Sequence, residues 1–158
     1  MPGLTAQVAV TLVTGNSAAA REGAIAALLS TSTADGPSAS SANVSAVGAS
    51  SDCTRSASSS ASASAEMDAV ILEGFGVAAQ PLASEPGLHV TRIAPGCLCC
   101  DGNLVLRVTL NRLLRQRPRR LFIGLASSEH LDQLRSWLQS APYDQLLALG
   151  PVVHSETA

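Results

Sequence analysis

Residues 104–126, LVLRVTLNRLLRQRPRRLFIGLA, hold the transition that decides the fold. Over 104–115 the apolar side chains recur at helical spacing. Leu106, Leu110, Leu113 and Leu114 share one face, and arginines occupy much of the rest. Asp101 or Asn103 can cap the start of this helix, and Pro118 lies just past its end. The period then changes. Leu121–Ala126, LFIGLA, is a short apolar run without a polar face, the pattern of a strand covered on both sides.

The same alternation extends outward in both directions. Downstream, 128–139 reads as a helix with Leu131, Leu134 and Leu138 at core spacing, capped by Ser127 or Ser128, and Trp137 joins its core or an interface. Upstream, 88–93 (LHVTRI) and 68–73 (DAVILE) read as strands, closed by Pro95-Gly96 and by Gly74-Phe75-Gly76. At the N-terminal end, 5–13 (TAQVAVTLV) is a buried strand, Gly15-Asn16 breaks it, and Ala18–Leu29 is an Ala/Leu-rich helix. Apolar strands alternating with helices predict an α/β fold: a small three-layer domain with a mostly parallel sheet and flanking helices.

One stretch does not fit that plan. Counted from Ser30 to Ala65, 14 of 36 residues are Ser and nine are Ala, with no aromatic residue. Such a composition buries too little apolar surface to offset its chain entropy, so 31–65 is expected to be a disordered insertion. Cys53 within it reads as an incidental thiol. The expected organisation is one domain over 1–150, interrupted by 31–65, with 151–158 as a tail.

Composition removes several functions. All ten basic residues among the 158 are arginines. Lysine Schiff bases, lysine general bases and a P-loop lysine are therefore excluded. The net charge of −2 and 3% aromatic content give no footing for nucleic-acid binding. No run approaches the ~18 apolar residues of a spanning helix, and no basic n-region precedes the apolar run Val8–Val13. A cytoplasmic chain without membrane partners is expected, with reduced cysteines.

Six arginines lie between Arg107 and Arg120. They form either an anion- or RNA-binding patch or a solvated helix face, and the second reading is preferred. His154 is expected to be exposed and uninvolved.

The strongest chemical signal is Pro95-Gly96-Cys97-Leu98-Cys99-Cys100. Three thiols in four residues at a strand-to-helix turn suit Zn²⁺ or another soft ion, and zinc takes four ligands. The N-terminus of the following helix favours thiolates. A fourth ligand can come from Asp101, His89, His130 or Glu73. Two alternatives stand beside metal binding: cysteines packed as small apolar residues, and a redox pair, for which this spacing is strained.

The GCLCC segment, with its preceding strand and the following NLVLRVTLNRLLRQRPRRLFI, resembles the CobW-type metal-handling GTPases, P-loop proteins related to the HypB- and UreG-like GTPases. TLVTGN at 11–16 and VILEGFG at 70–76 extend the resemblance. It implies a P-loop NTPase-like domain, GTP and Mg²⁺ as cofactors, zinc or another metal as cargo, and a client metalloprotein as partner.

The family's Thr-Gly-x-x-Gly-x-Gly-Lys-Thr-Thr falls on Thr14-Gly15-Asn16-Ser17-Ala18-Ala19-Ala20-Arg21-Glu22-Gly23. Gly15, Asn16 and Arg21 are then the candidate cofactor-binding residues. Glycines are lost at Ala18 and Ala20, Arg21 stands where lysine would be, and Glu22 replaces the Mg²⁺ hydroxyl. The family's acidic residue before Phe-Gly is either displaced by one position, to Glu73, or lost, and the Walker B carboxylate falls on Gly124.

No catalytic residue is assigned. Three functions remain: a degenerate domain binding metal through Cys97, Cys99 and Cys100 with weak or absent GTP hydrolysis; an active GTPase with Arg21 in place of lysine; and a non-catalytic interaction module.

Overall fold

A computed structural model describes residues 6–31, 66–74, 82–94, 104–129 and 131–155. Its elements run β1 (Val8–Thr14), α1 (Ala18–Thr31), β2 (Asp68–Glu73), β3 (Leu88–Ile93), α2 (Leu104–Arg115), β4 (Arg120–Leu125), α3 (Leu131–Leu138), a 3-10 turn (Tyr143–Gln145), β5 (Leu147–Leu149) and β6 (Val153–His154). The strands make one sheet in the order β3-β2-β4-β1-β5, with β6 also on β1. The ladders β1–β4, β1–β5, β1–β6, β2–β3 and β2–β4 are all parallel.

The two faces of the sheet carry separate apolar clusters. Val10, Leu12, Ile71, Leu121 and Ile123 pack with Leu106, Leu110 and Leu113 of α2 and Leu134 and Leu138 of α3. Val13, Val70, Leu72 and Phe122 pack with Ile25 of α1 on the other side. Three layers follow, as the alternation of strands and helices predicts. Two ion pairs fasten the lower end. Arg120 grips Asp68 with both arms, Nη2 to Oδ2 at 2.5 Å and Nε to Oδ1 at 3.1 Å, joining β4 to β2. Arg119 Nη1 reaches Glu66 at 2.8 Å.

Three boundaries differ from the sequence reading. Helix α1 continues to Thr31, and α3 begins at Leu131 rather than at 128. The sheet also reaches past residue 150, where a tail was expected: Val13 pairs with Val153 and Thr14 with His154. Gly150-Pro151 splits this last pairing into β5 and β6, since Pro has no N–H to give the ladder. Trp137 packs against Tyr143 in a tilted arrangement, with ring centroids 4.9 Å apart and ring planes at 58°. Among the described residues, no helix is long and apolar enough to cross a membrane.

Candidate functional site

In a parallel sheet, side chains converge at the carboxyl ends of the strands. Here β1 ends at Thr14 and α1 starts at Ala18, so only Gly15, Asn16 and Ser17 make the turn. Ser17 caps the helix: its Oγ accepts the Ala20 N–H at 3.0 Å. The buried residues of α1 are Arg21, Glu22 and Ile25. Two charged side chains on a buried helix face must be paired, because an isolated charge cannot be desolvated cheaply.

Arg21, 4% exposed, folds back over the turn. Its Nη1 donates to the Gly15 carbonyl at 2.5 Å and its Nη2 to the Glu73 carbonyl at 3.1 Å. One guanidinium thus ties the end of β1 to the end of β2. Its Nε is buried without a hydrogen-bond partner among the described residues. Burial pushes the Arg21 pKa below the ordinary guanidinium value, against the opposing pull of Glu73 and Glu22.

Glu22 looks the other way, toward β3. Arg92 holds it with two bonds, Nη1 to Oε1 at 2.7 Å and Nη2 to Oε2 at 3.1 Å. The Leu82 N–H donates to Oε2 at 2.8 Å, and Arg92 Nη2 also donates to the Leu82 carbonyl at 3.1 Å. The Arg92 hydrogen bond lowers the Glu22 pKa; burial opposes it, and the Leu82 N–H and nearby guanidinium charges assist.

A carboxyl whose pKa falls on folding contributes stability above its unfolded value, about 4.3, and loses it as pH drops through the folded value. The urea midpoint should therefore be flat near neutrality and fall below about pH 4.3, with Glu22→Gln removing part of that fall. An identical acid limb in native and variant chains would show that Glu22 is not held this way.

The Arg21 guanidinium lies across the β1–α1 turn, bonded to the Gly15 carbonyl there and to the Glu73 carbonyl at the end of β2. A Cβ on Gly15 would meet the Ser155 carbonyl oxygen at 2.6 Å. Ser155 is fixed there because its N–H and Oγ both donate to the Thr14 carbonyl, at 2.7 and 2.8 Å. At Gly124, where a Walker B carboxylate would project, a Cβ would meet Leu72 Cδ2 at 2.8 Å and Ile25 Cδ1 at 3.6 Å. That side of the strand is lined by apolar side chains.

Of the sequence candidates, Gly15 and Arg21 come together and Asn16 is exposed. Glu73 is buried beside them, and its Oε2 accepts the Ala126 N–H at 2.8 Å. His89 pairs in register with Ala69 near the beginning of β3. That is about 13 Å along the strand from Ile93, the end from which the chain continues toward Cys97. Cys97, Cys99, Cys100, Asp101, His130 and Cys53 lie outside the described residues. Among the described residues, no group of three His, Cys, Asp or Glu could hold a metal.

The sequence reading missed the Glu22–Arg92 pair, whose members are 70 residues apart. It also missed the 2.8 Å contact between Thr14 Oγ1 and His154 Nδ1. One signal was available: Arg21 and Glu22 precede Ile25 by four and three residues, which puts them on its face.

Fold and site together define a three-layer α/β protein with a parallel sheet whose β1–α1 turn is closed by its own arginine. Comparison with known proteins adds one relative. The chain is similar to the zinc chaperone YeiR of Escherichia coli (strain K12), 33% identical over 84 residues, which cover 51% of this chain and 26% of that protein. The matched part thus spans about a quarter of that relative's length. No protein-family model matches the chain, and no solved structure does.

Proposed function

We propose that this chain is a CobW-like metal-handling protein that binds zinc, or another soft divalent ion, through the thiolates of Cys97, Cys99 and Cys100, with weak or absent GTP hydrolysis. The observation that carries the metal part is the cluster of three thiols in four residues, in a chain similar to a zinc chaperone. Three thiolates supply the soft donors that Zn²⁺ prefers and leave one tetrahedral position for a further ligand or for a recipient's side chain. Candidates within the chain are Asp101, His89, His130 and Glu73. Helix α2 begins at Leu104, four positions after Cys100.

Metal is cargo on this reading, and the recipient is a client metalloprotein. The scaffold is one domain that takes in β6, in which 31–65 is an insertion. The closed turn at Arg21 supports the nucleotide-free part of the proposal. Phosphoryl transfer needs positioned cations and a Mg²⁺ site around the γ-phosphate. An active GTPase with Arg21 in the lysine role would need that guanidinium free, and no observation favours it.

The test is the zinc content of anaerobically purified chain beside a variant with all three cysteines replaced by serine. About one equivalent in the native chain and none in the variant is expected. Equal metal in both would overturn the assignment of ligands, and none in either would overturn metal binding.

A further inference from the structure

Helix α2 covers the sheet with Leu106, Leu110 and Leu113, all at 1% exposure or less. Its opposite face is not simply polar. Leu104, Val105 and Val108 are 67%, 59% and 58% exposed, the three most exposed large apolar side chains among the described residues. Leu104, Val108 and Arg115 lie on one line of the helix, with Val105 and Arg112 on the line beside it. The face is therefore aliphatic in its first two turns and cationic in its last.

Arg107, Arg112, Arg115 and Arg117 are all exposed, and none has an ion-pair partner among the described residues. Arg119 and Arg120, by contrast, are spent on Glu66 and Asp68. A helix C-terminus favours nearby cations, which accounts for Arg112 and Arg115 but not for three aliphatic side chains left in water.

We infer that this face of α2 is the docking surface for the metal-receiving protein, and that the recipient presents an acidic amphipathic helix, aliphatic side chains flanked by carboxylates. The inference rests on the metal-handling reading above. Two observations select the occupant. The unpaired guanidinium groups of Arg112 and Arg115 on this face complement carboxylates, and an aliphatic row at i and i+4 spacing complements the apolar edge of a helix. Position agrees: Leu104 follows Cys100 by four residues, so the patch begins within about 14 Å of chain length from the thiols. Metal transfer between thiolates and a recipient's ligands requires that closeness.

The probe is a synthetic helical peptide of about 18 residues, with leucines at i and i+4 spacing and glutamates between them, titrated against the full chain by fluorescence anisotropy. The native chain is expected to bind it, with affinity falling as salt rises. Leu104→Ser with Val108→Ser, and separately Arg112→Glu with Arg115→Glu, should each weaken binding at least about tenfold. All four side chains are exposed, so both variants should fold, and their circular dichroism melts check this. A peptide with lysine for glutamate should bind the Arg112→Glu/Arg115→Glu variant better than the native chain.

Absence of peptide binding overturns the inference, and so does equal binding of a scrambled peptide of the same charge. It also falls if anionic lipid vesicles bind through Leu104 and Val108 while the peptide does not, or if the native chain dimerises through this face. Zinc content read on the same samples separates the two proposals. Peptide binding without zinc removes the metal reading and leaves an acidic-helix docking face; zinc without peptide binding removes only the docking face.

Discussion

Arg21→Ala is expected to lower the stability of the chain by about 3 kcal/mol, read from urea denaturation at neutral pH. Three losses add to that figure. The guanidinium makes two charge-assisted hydrogen bonds, to the Gly15 and Glu73 carbonyls, each worth about 1.5–3 kcal/mol where it is shielded from water. Both carbonyls then lose their donor at the end of the sheet. Glu73 and Glu22 also lose a nearby positive charge. One gain opposes these losses: the buried, unpartnered Nε disappears with the side chain. Arg21→Met keeps the packed stem and so should cost less than Arg21→Ala. A change below about 0.5 kcal/mol in Arg21→Ala would mean that the arginine is an incidental occupant and that the turn does not depend on it.

A graded loss is expected at Gly124, in the centre of β4. Gly124 lies between Val13 of β1 and Leu72 of β2. Its open side faces Leu72 and Ile25, which are both at most 2% exposed. Val has a higher strand propensity than Gly, so propensity alone predicts that Gly124→Val stabilises. Packing predicts the opposite, because a Cβ 2.8 Å from Leu72 Cδ2 overfills a close-packed face. Overpacking costs about 1–3 kcal/mol, more than the ~1 kcal/mol span of strand propensity, so packing wins. Gly124→Ala should destabilise measurably and Gly124→Val by about 3 kcal/mol. Thermal midpoints that rise along this series would show that Leu72 yields and that the position is not sterically closed.

The elements that carry strong periodicity were legible in the sequence. Helix α2 and strand β4 could be read to within a residue because Leu106, Leu110 and Leu113 mark one face, and the run from Leu121 has no polar face at all. The edge strands β5 and β6 were not legible. They are three and two residues long and straddle Gly150-Pro151, too short for any period to register.

The geometry of the β1–α1 turn was not legible in the sequence. That Arg21 turns back onto the Gly15 carbonyl, and that Glu22 turns away to Arg92, are tertiary facts. They follow from which helix face meets the sheet, and the Ala-rich sequence of α1 marks that face only weakly. Ser155 at the Thr14–Gly15 turn depends likewise on β6 returning beside β1 from 141 residues away.

The most direct test of the account is the affinity of the native chain for zinc, measured anaerobically against a chromophoric chelator, with and without Mg²⁺ and GTP. The account predicts about one zinc per chain, held through Cys97, Cys99 and Cys100, with the same affinity in both conditions. A native chain that binds no zinc, or a zinc affinity that shifts about tenfold when GTP is added, would contradict it.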